Sequence, residues 1–217
     1  MRIVIAGGHG KIALLLERLL AARGDQAVAL IRNPAHVADV QQAGAEAVVC
    51  DLETASAADV AVLLSGADAV VFAAGAGPGS GAARKDSVDR AASVLLADAA
   101  ERAGVRRFVQ VSSMGAGLPP RPGTDEVWAA YIAAKTAAEA DLSGRDLDWT
   151  ILRPGGLTDA PATGRIRLAL PPTSGGTVPR ADVAAVIAAL LDAPGTRHQI
   201  LELASGDTPV AAAVGSI

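Results

Sequence analysis

The 217-residue sequence predicts an α/β fold built on one doubly wound parallel sheet. Strand-like and helix-like segments alternate along the chain, and the links between them are short. The predicted strands are apolar throughout, which is typical of parallel strands covered by helices on both faces. The length suits one domain, in which residues 155–217 would add a small substrate-side lobe.

The first half of the chain carries the regular part of this pattern. Strands are predicted at residues 2–6, 26–31, 45–50, 68–74 and 106–112. Helices are predicted between them at residues 11–23, about 34–43, 57–65 and 84–103. Gly24 and Gly104 follow two of these helices, and glycine is the residue that most easily takes the left-handed conformation ending a helix.

The second half is less regular. Residues 114–126 are predicted to form a Gly/Pro-rich loop. The remaining predicted elements are a helix at 127–143, a strand at 148–153, a helix at 181–192 and a strand at 198–204. Residues 155–179 are rich in glycine and proline around one short apolar run. We expect this segment to form a lid over a substrate, because loops on a rigid scaffold commonly carry specificity.

The composition restricts the class of protein. Hydrophobic residues make up 51% of the chain and charged residues 19%, a balance that predicts a globular fold. The net charge of -4 disfavours nucleic-acid binding, which needs a basic face. A single cysteine and three widely separated histidines predict no metal site. No apolar stretch approaches the roughly 18 residues of a membrane span, so we expect a cytoplasmic protein.

A glycine motif follows the first predicted strand and opens the first predicted helix. Residues 7–13 have the sequence GGHGKIA. Glycines at this point allow a tight turn and let the backbone approach a pyrophosphate, which the free N–H groups of the helix start can bind. The motif predicts a dinucleotide site formed by Gly7, Gly10, Lys11 and Ile12.

The end of the second predicted strand bears on the choice of dinucleotide. NAD-binding chains commonly place an acidic residue there, about 20 residues beyond the glycines, to bind the ribose hydroxyls. This chain instead has Arg32 followed by Asn33. A guanidinium group at this point can pair with the 2′-phosphate of NADP, so the sequence favours NADP(H), with NAD(H) less favoured.

Four more segments complete an ordered set of motifs. They are Cys50-Asp51-Leu52, Phe72-Ala73-Ala74-Gly75, Phe108 to Ser113, and Leu152 to Leu157. With the glycine loop, this set resembles the atypical short-chain dehydrogenase/reductase family, of the NmrA-like and epimerase-like type with a Rossmann fold. The resemblance implies that Asp51 and Leu52 hold the adenine, that Ala73, Ala74 and Gly75 lie beside the cofactor, and that Pro154 lies near the nicotinamide end.

Tyr131 and Lys135 are the candidate catalytic pair. Residues four apart on a helix share a face, so the phenol and the ammonium point to one site. In short-chain dehydrogenases such a tyrosine supplies the proton for carbonyl reduction, while the lysine lowers the pKa of the tyrosine and holds the nicotinamide ribose. The resemblance also implies that Ser112 or Ser113 hydrogen-bonds the acceptor oxygen. The catalytic asparagine that many family members carry is absent, because Asn33 is the only asparagine in the chain.

These residues favour an NADPH-dependent oxidoreductase acting on a small carbonyl-type acceptor. Two alternatives remain open at this point. One is an NADP(H)-binding redox sensor without turnover, as NmrA-like relatives are. The other is an enzyme like the nucleotide-sugar epimerases and dehydratases, although these normally have a longer C-terminal substrate domain than the residues after Pro154 supply.

Overall fold

The structure is a computed structural model that describes residues 1–77, 79–119 and 123–217. The strands are β1 (Arg2–Ala6), β2 (Gln26–Ile31), β3 (Glu46–Val49), β4 (Ala69–Phe72), β5 (Arg107–Val111), β6 (Asp148–Pro154), β7 (Gly156–Thr158), β8 (Arg165–Ala169), β9 (Thr177–Pro179), β10 (Gln199–Ser205) and β11 (Thr208–Pro209). The helices are α1 (Lys11–Arg23), α2 (Val37–Gln42), α3 (Ala57–Leu63), α4 (Ala82–Arg84), α5 (Ala92–Ala103), α6 (Glu126–Ser143), α7 (Arg180–Leu191) and α8 (Val210–Gly215). The segment Lys85–Ala91 between α4 and α5 is a π-helix, called the π segment below.

The large sheet has the strand order β11-β8-β10-β6-β5-β4-β1-β2-β3. From β3 to β10 every neighbouring pair of strands is parallel. Toward the other edge, β8 pairs antiparallel with both β10 and β11, so among the strands described in this sheet only β8 runs in the opposite direction. The predicted doubly wound α/β fold with a parallel-dominated sheet is therefore confirmed, and β1, where the glycine loop begins, lies between β4 and β2.

Helices cover both faces of this sheet. Alternate side chains of β1 enter opposite cores: Ile3 and Ile5 pack on the side of α1 and α7, while Val4 and Ala6 pack on the side of α3 and α5. All four are fully buried. Burial on both faces explains why the strands are apolar without alternation.

The C-terminal part differs from the prediction. Residues 155–179 contain three strands rather than a simple loop: β7 and β9 pair in a small second sheet, and β8 joins the large sheet. In β8 the buried Ile166 and Leu168 alternate with the more exposed Arg165 and Arg167, as expected for a strand covered on one face. Strand β11 and helix α8 were not predicted at all. Residues 120–122 of the predicted loop 114–126 lie outside the described residues.

The helix predicted at 84–103 is also not uniform. Its first part is the π segment, whose wider turn buries Lys85, Val88 and Asp89 together. A π turn inserted in a helix frequently marks a functional site, because it changes the direction in which side chains point. Two of the three buried side chains here are charged.

Among the described residues, no helix is both long and apolar enough to cross a membrane.

Candidate cofactor and active site

The glycine loop connects α1 to β1, which lies between β4 and β2 in the sheet. Gly7 has a φ of 79°, a conformation that residues with a side chain rarely adopt. A Cβ atom at Gly7 would also lie 2.5 Å from the Cα of Ala74, at the end of β4. Glycine at position 7 is therefore required by the turn and by the close approach of the neighbouring strand.

The first turn of α1 is suited to an anion. Gly10 is the residue before the helix, no side chain caps it, and the first turn holds no acidic residue. The N–H groups and the positive end of the helix dipole are therefore available to a ligand. A Cβ at Gly10 would lie 3.1 Å from the carbonyl oxygen of Gly7, so even a methyl group would crowd the loop. This cradle fits the pyrophosphate of a dinucleotide.

A cleft of about 340 Å³ runs from this loop over the ends of β2, β3 and β4. Most of the predicted cofactor residues line it: Gly7, Gly10, Arg32, Asp51, Leu52, Ala73, Ala74 and Gly75. The other predicted residues lie differently. Ile12 packs against the core, and the buried Pro154 ends β6 and accepts a hydrogen bond from the Met114 amide.

Lys11 does not line the cleft and instead pairs with an aspartate. The Lys11 Nζ atom lies 2.6 Å from Oδ2 of Asp159, which follows β7. Nη1 of Arg180, at the start of α7, lies 2.6 Å from the other oxygen of the same carboxylate. These two cations lower the pKa of Asp159. The glycine loop is thereby connected through Asp159 to the predicted substrate-side lobe.

Arg32 lines the cleft together with Glu53 and Arg84, and Glu53 binds both arginines. The Arg32 Nη1 atom donates to Oε2 of Glu53 at 2.9 Å, and Nη2 of Arg84 donates to the same oxygen at 2.6 Å. The Ser87 hydroxyl donates to Oε1 of Glu53 at 2.7 Å. The hydrogen bonds from Ser87 and then Arg84 hold the pKa of Glu53 below its ordinary value. Glu53 and Arg84 were not predicted as site residues, because they reach Arg32 only through the fold.

Tyr131 and Ser113 form the candidate proton-donating pair. Tyr131 lies on α6, and its phenol is close enough to the Ser113 hydroxyl, two residues after the end of β5, for that hydroxyl to lower the pKa of the phenol. Burial raises the pKa of Tyr131 to about 12; the nearby Asp89 carboxylate also raises the pKa, and the Ser113 contact opposes this. The sequence predicts a lowered pKa for Tyr131 beside Lys135, and the raised pKa departs from that expectation.

The environment of Lys135 also differs from the simple pair that the sequence predicts. The Lys135 side chain is 3% exposed, and its Nζ atom lies 3.2 Å from Oδ1 of Asp89. It also donates to the carbonyl oxygen of Val111, at the end of β5, at 3.1 Å. Burial lowers the pKa of Lys135, while Asp89 raises it. The buried Asp89 carboxylate thus balances the positive charge of Lys135, which weakens the effect of that charge on the pKa of the Tyr131 phenol.

The two candidate serines have different surroundings. Ser112 is buried and its hydroxyl donates to Oε1 of Glu139 at 2.5 Å. Glu139 in turn accepts hydrogen bonds from Arg153, a buried residue of β6. Ser112 therefore belongs to a buried ionic cluster that joins β5, α6 and β6, and the geometry favours Ser113 as the serine beside Tyr131.

Lys85 and Asp89 of the π segment complete the site. The Lys85 Nζ atom lies 5.3 Å from the centre of the Tyr131 ring and donates to the carbonyl oxygen of Gly77 at 2.9 Å. Oδ2 of Asp89 accepts from the amide of Ala76 at 3.2 Å. Ala76 lines the cofactor cleft, so Asp89 connects the cleft to Lys135. A lysine and an aspartate four residues apart in a predicted helix were the only visible sign of this pair.

The fold and the cleft together define a dinucleotide-binding protein of the Rossmann type. Residues 7–194 match the family described as NAD(P)H-binding, and the chain belongs to that family. It is 34% identical over 215 residues to the uncharacterized sugar epimerase YhfK of Bacillus subtilis (strain 168), covering 99% of both chains.

Two solved structures are similar over nearly their whole length. One, from Bacillus halodurans, is provisionally named an NAD-dependent epimerase/dehydratase; it is 34% identical, with a TM-score of 0.91 and 100% of each chain covered. The other is the oxidoreductase ylbE from Lactococcus lactis, which is 29% identical, with a TM-score of 0.87 and coverage of 100% and 96%. The chain is therefore an NAD(P)H-binding protein of an oxidoreductase- and epimerase-like family.

Proposed function

We propose that this protein is an NADPH-dependent oxidoreductase that transfers a hydride to a small carbonyl-type acceptor. The observation that carries the proposal is the grouping of the Tyr131 phenol with the Ser113 hydroxyl and the Lys135 ammonium, 5.7 Å from the centre of the Tyr131 ring. Asp89 connects this group to Ala76, which lines the cofactor cleft. A bound nicotinamide would supply the hydride. The family membership and the similarity to a named oxidoreductase support the reaction class.

In this proposal the residues have separate roles. The Ser113 hydroxyl orients the acceptor oxygen, and the Tyr131 phenol donates the proton that this oxygen gains. A raised pKa suits this direction of reaction, because the phenol stays protonated at neutral pH until the acceptor oxygen becomes basic. Lys135 supports the phenol and holds the nicotinamide ribose. The lobe formed by residues 155–217 would hold the acceptor.

The proposed preference for NADPH rests on the two guanidinium groups at the mouth of the cleft. Arg32 and Arg84 share one carboxylate, that of Glu53, so the three side chains together carry a net positive charge. Each guanidinium has more N–H donors than Glu53 uses, and the remaining donors can bind the 2′-phosphate. The proposal includes a cytoplasmic location and a small-molecule substrate, without a nucleic-acid or membrane partner.

An epimerase reaction is the second candidate, because a relative and a similar structure carry that name. An epimerase returns its cofactor unchanged, whereas a reductase consumes NADPH. In this chain the residues after Pro154 mostly complete the sheet and its covering helices instead of forming a separate substrate domain. This favours the reductase, because epimerases of nucleotide sugars normally have a longer C-terminal substrate domain.

The test is NADPH oxidation with a panel of small aldehydes, ketones and quinones. Tyr131→Phe keeps the ring and removes the proton donor, so turnover should fall by about 10²–10⁴-fold while NADPH affinity hardly changes. Absorbance of NADPH measures the first quantity and calorimetric titration the second. Undiminished turnover in the variant, or no net cofactor consumption with any acceptor, would contradict the proposal.

A further inference from the structure

A buried group of charges lies between the cofactor cleft and Tyr131. Asp89 is fully buried, and Lys135 and Lys85 are 3% and 8% exposed. The two ammonium groups lie 5.7 and 5.3 Å from the centre of the Tyr131 ring. The single carboxylate of Asp89 therefore lies near two buried ammonium groups. Its contacts show which of the two positive charges it balances.

Asp89 uses its two oxygens differently. Oδ1 lies 3.2 Å from Nζ of Lys135, while Oδ2 accepts the amide hydrogen of Ala76 at 3.2 Å. Lys85 instead donates to the carbonyl oxygen of Gly77. The carboxylate is thus held by the backbone of the cleft on one side and by the lysine on the other.

The other groups around Lys135 do not replace this carboxylate. They are Glu139 and Tyr131 on α6, Lys85 on the π segment, the Val111 carbonyl of β5 and the Phe72 ring of β4. Glu139 is already bound to Arg153 and Ser112. The Val111 carbonyl and the Phe72 ring carry no net charge, and Lys85 opposes a second positive charge.

We propose that Asp89 is a positioning residue that keeps Lys135 charged inside the protein and fixes its ammonium group between the cofactor cleft and Tyr131. This inference rests on the proposed function of the Tyr131–Lys135 pair and extends it to a residue that the sequence motif does not contain. The wide turn of the π segment brings Asp89 to this point. This chain lacks the catalytic asparagine that many family members carry. Here the π segment places two charged side chains, Lys85 and Asp89, beside Tyr131 and Lys135.

The reason for the arrangement is the cost of a buried charge. An ammonium group transferred from water into the protein interior loses its hydration and tends to give up its proton. Burial is the first cause lowering the pKa of Lys135, and the Asp89 carboxylate is the first cause opposing it. Without the carboxylate, Lys135 would become neutral at a lower pH and would stop supporting the phenol.

The test is Asp89→Asn, which keeps the shape and an acceptor for the Ala76 amide but removes the charge. Lys135 should then lose its proton at a pH lower by about 1–3 units, the usual effect of an opposite charge at this distance. NMR titration of lysine-labelled protein measures this directly, with the signal assigned by its absence in Lys135→Met. In Asp89→Glu, which keeps the negative charge, Lys135 should lose its proton at nearly the same pH as in the native protein.

Turnover gives a second measurement. In Asp89→Asn the rate of carbonyl reduction should begin to fall at a correspondingly lower pH, whereas a purely structural defect would scale the rate equally at every pH. Asp86→Asn is the matched control, because Asp86 lies on the same π segment but is exposed and pairs only with Arg90 among the described residues. Asp86→Asn should change neither the pH at which Lys135 loses its proton nor the pH profile of turnover.

The outcomes separate this inference from the proposed function. If Lys135 titrates at the same pH in Asp89→Asn and the native protein, the inference is wrong, whatever the activity. If the titration shifts but Tyr131→Phe is fully active, the inference holds and the proposed function fails. If Asp89→Asn does not fold, Asp89→Asn/Lys135→Met should be the more stable of the two, since it lacks the unpaired ammonium. Equal instability would overturn the inference.

Discussion

Two guanidinium groups converge on one oxygen of Glu53 at the mouth of the cleft, and this contact determines what Arg32 can do for a cofactor. The carboxylate holds Arg32 and Arg84 in place at 2.9 and 2.6 Å. It also repels a second anion, so the two effects on a 2′-phosphate have opposite signs. The guanidinium charges exceed the carboxylate charge, and attraction of the phosphate should prevail.

Arg32→Ala should therefore weaken NADPH binding by about 1.5–3 kcal/mol, because a charge-assisted contact is lost. NADH binding should change little, since NADH has no 2′-phosphate. Calorimetric titration of both cofactors measures the two affinities. Arg106→Ala is the control: Arg106 is also exposed and pairs with an aspartate, Asp146, but it precedes β5 and so lies at the amino-terminal end of that strand, opposite to the ends that line the cleft. Equal affinity of the native protein for both cofactors would refute the preference.

At the scale of residues, the sequence was sufficient to predict those cleft residues that lie at or just beyond the end of a strand. Arg32 and Asp51 were found because each stands at or just beyond the end of a strand, where parallel strands present their ligands. Glu53 and Arg84 were not found, since they are 21 and 31 residues from their partners in the chain. The choice between Ser112 and Ser113 also needed the structure, because it depends on the buried position of Glu139.

At the scale of elements, the start of α1 is the part of the site that local sequence determines most completely. The glycines set the turn, and the absence of a capping side chain leaves the N–H groups free. Such a helix start binds an anion through several backbone groups at once. One substitution that fills this space should remove binding without removing the helix.

Gly10→Val should abolish binding of NADPH while the fold survives, as judged by circular dichroism. The branched side chain would occupy the space that the pyrophosphate needs, and φ at Gly10 is -66°, which valine can adopt. Gly81→Val is the matched control, because Gly81 also precedes a helix at a φ of -71° and a Cβ there would meet open space. Normal NADPH affinity in Gly10→Val would place the cofactor elsewhere.

The π segment shows what periodicity does not reveal about an element. The pattern of residues 84–103 predicts a continuous helix, and the chain is indeed helical throughout. The wider turn depends on the contacts of Lys85 and Asp89 with Gly77, Ala76 and Lys135, which are made with other elements. Sequence periodicity records only which side of a helix is apolar.

At the scale of the whole molecule, the parallel sheet was predictable and its antiparallel edge was not. Strands β1, β2 and β4 are covered on both sides, and their apolar runs show this directly. Strand β8 has one covered face and two arginines on the other, within a segment whose glycines and prolines favour a loop. Strand β11 has two residues, which is too short for a periodic pattern.

A buried acid that no proposal above uses affects the stability of the whole fold. Glu17 lies on the inner face of α1 with Ala13, Leu16 and Leu20, and it is fully buried. Neither of its carboxylate oxygens has a hydrogen-bond partner among the described residues. Burial raises the pKa of Glu17 to about 8, and the positive charge of Arg18 offsets only part of this effect.

The direction of the pH effect follows from this raised pKa. Between the ordinary value of 4.5 and about 8, the folded protein keeps the Glu17 proton while the unfolded chain releases it. Deprotonation therefore favours unfolding, and the free energy of unfolding should fall as the pH rises through this range. Below pH 4.5 both states are protonated and the penalty disappears.

Glu17→Gln cannot ionise and should remove this dependence. Relative to the native protein, its free energy of unfolding should rise between pH 5 and pH 9 by on the order of 2–4 kcal/mol, less than the full shift implies because water can reach an ionised carboxylate. Denaturant unfolding at several pH values measures the difference. Glu46→Gln on β3 is the control, because Glu46 is exposed and should leave the pH dependence unchanged. Parallel curves for Glu17→Gln and the native protein would mean that Glu17 ionises freely in the folded state.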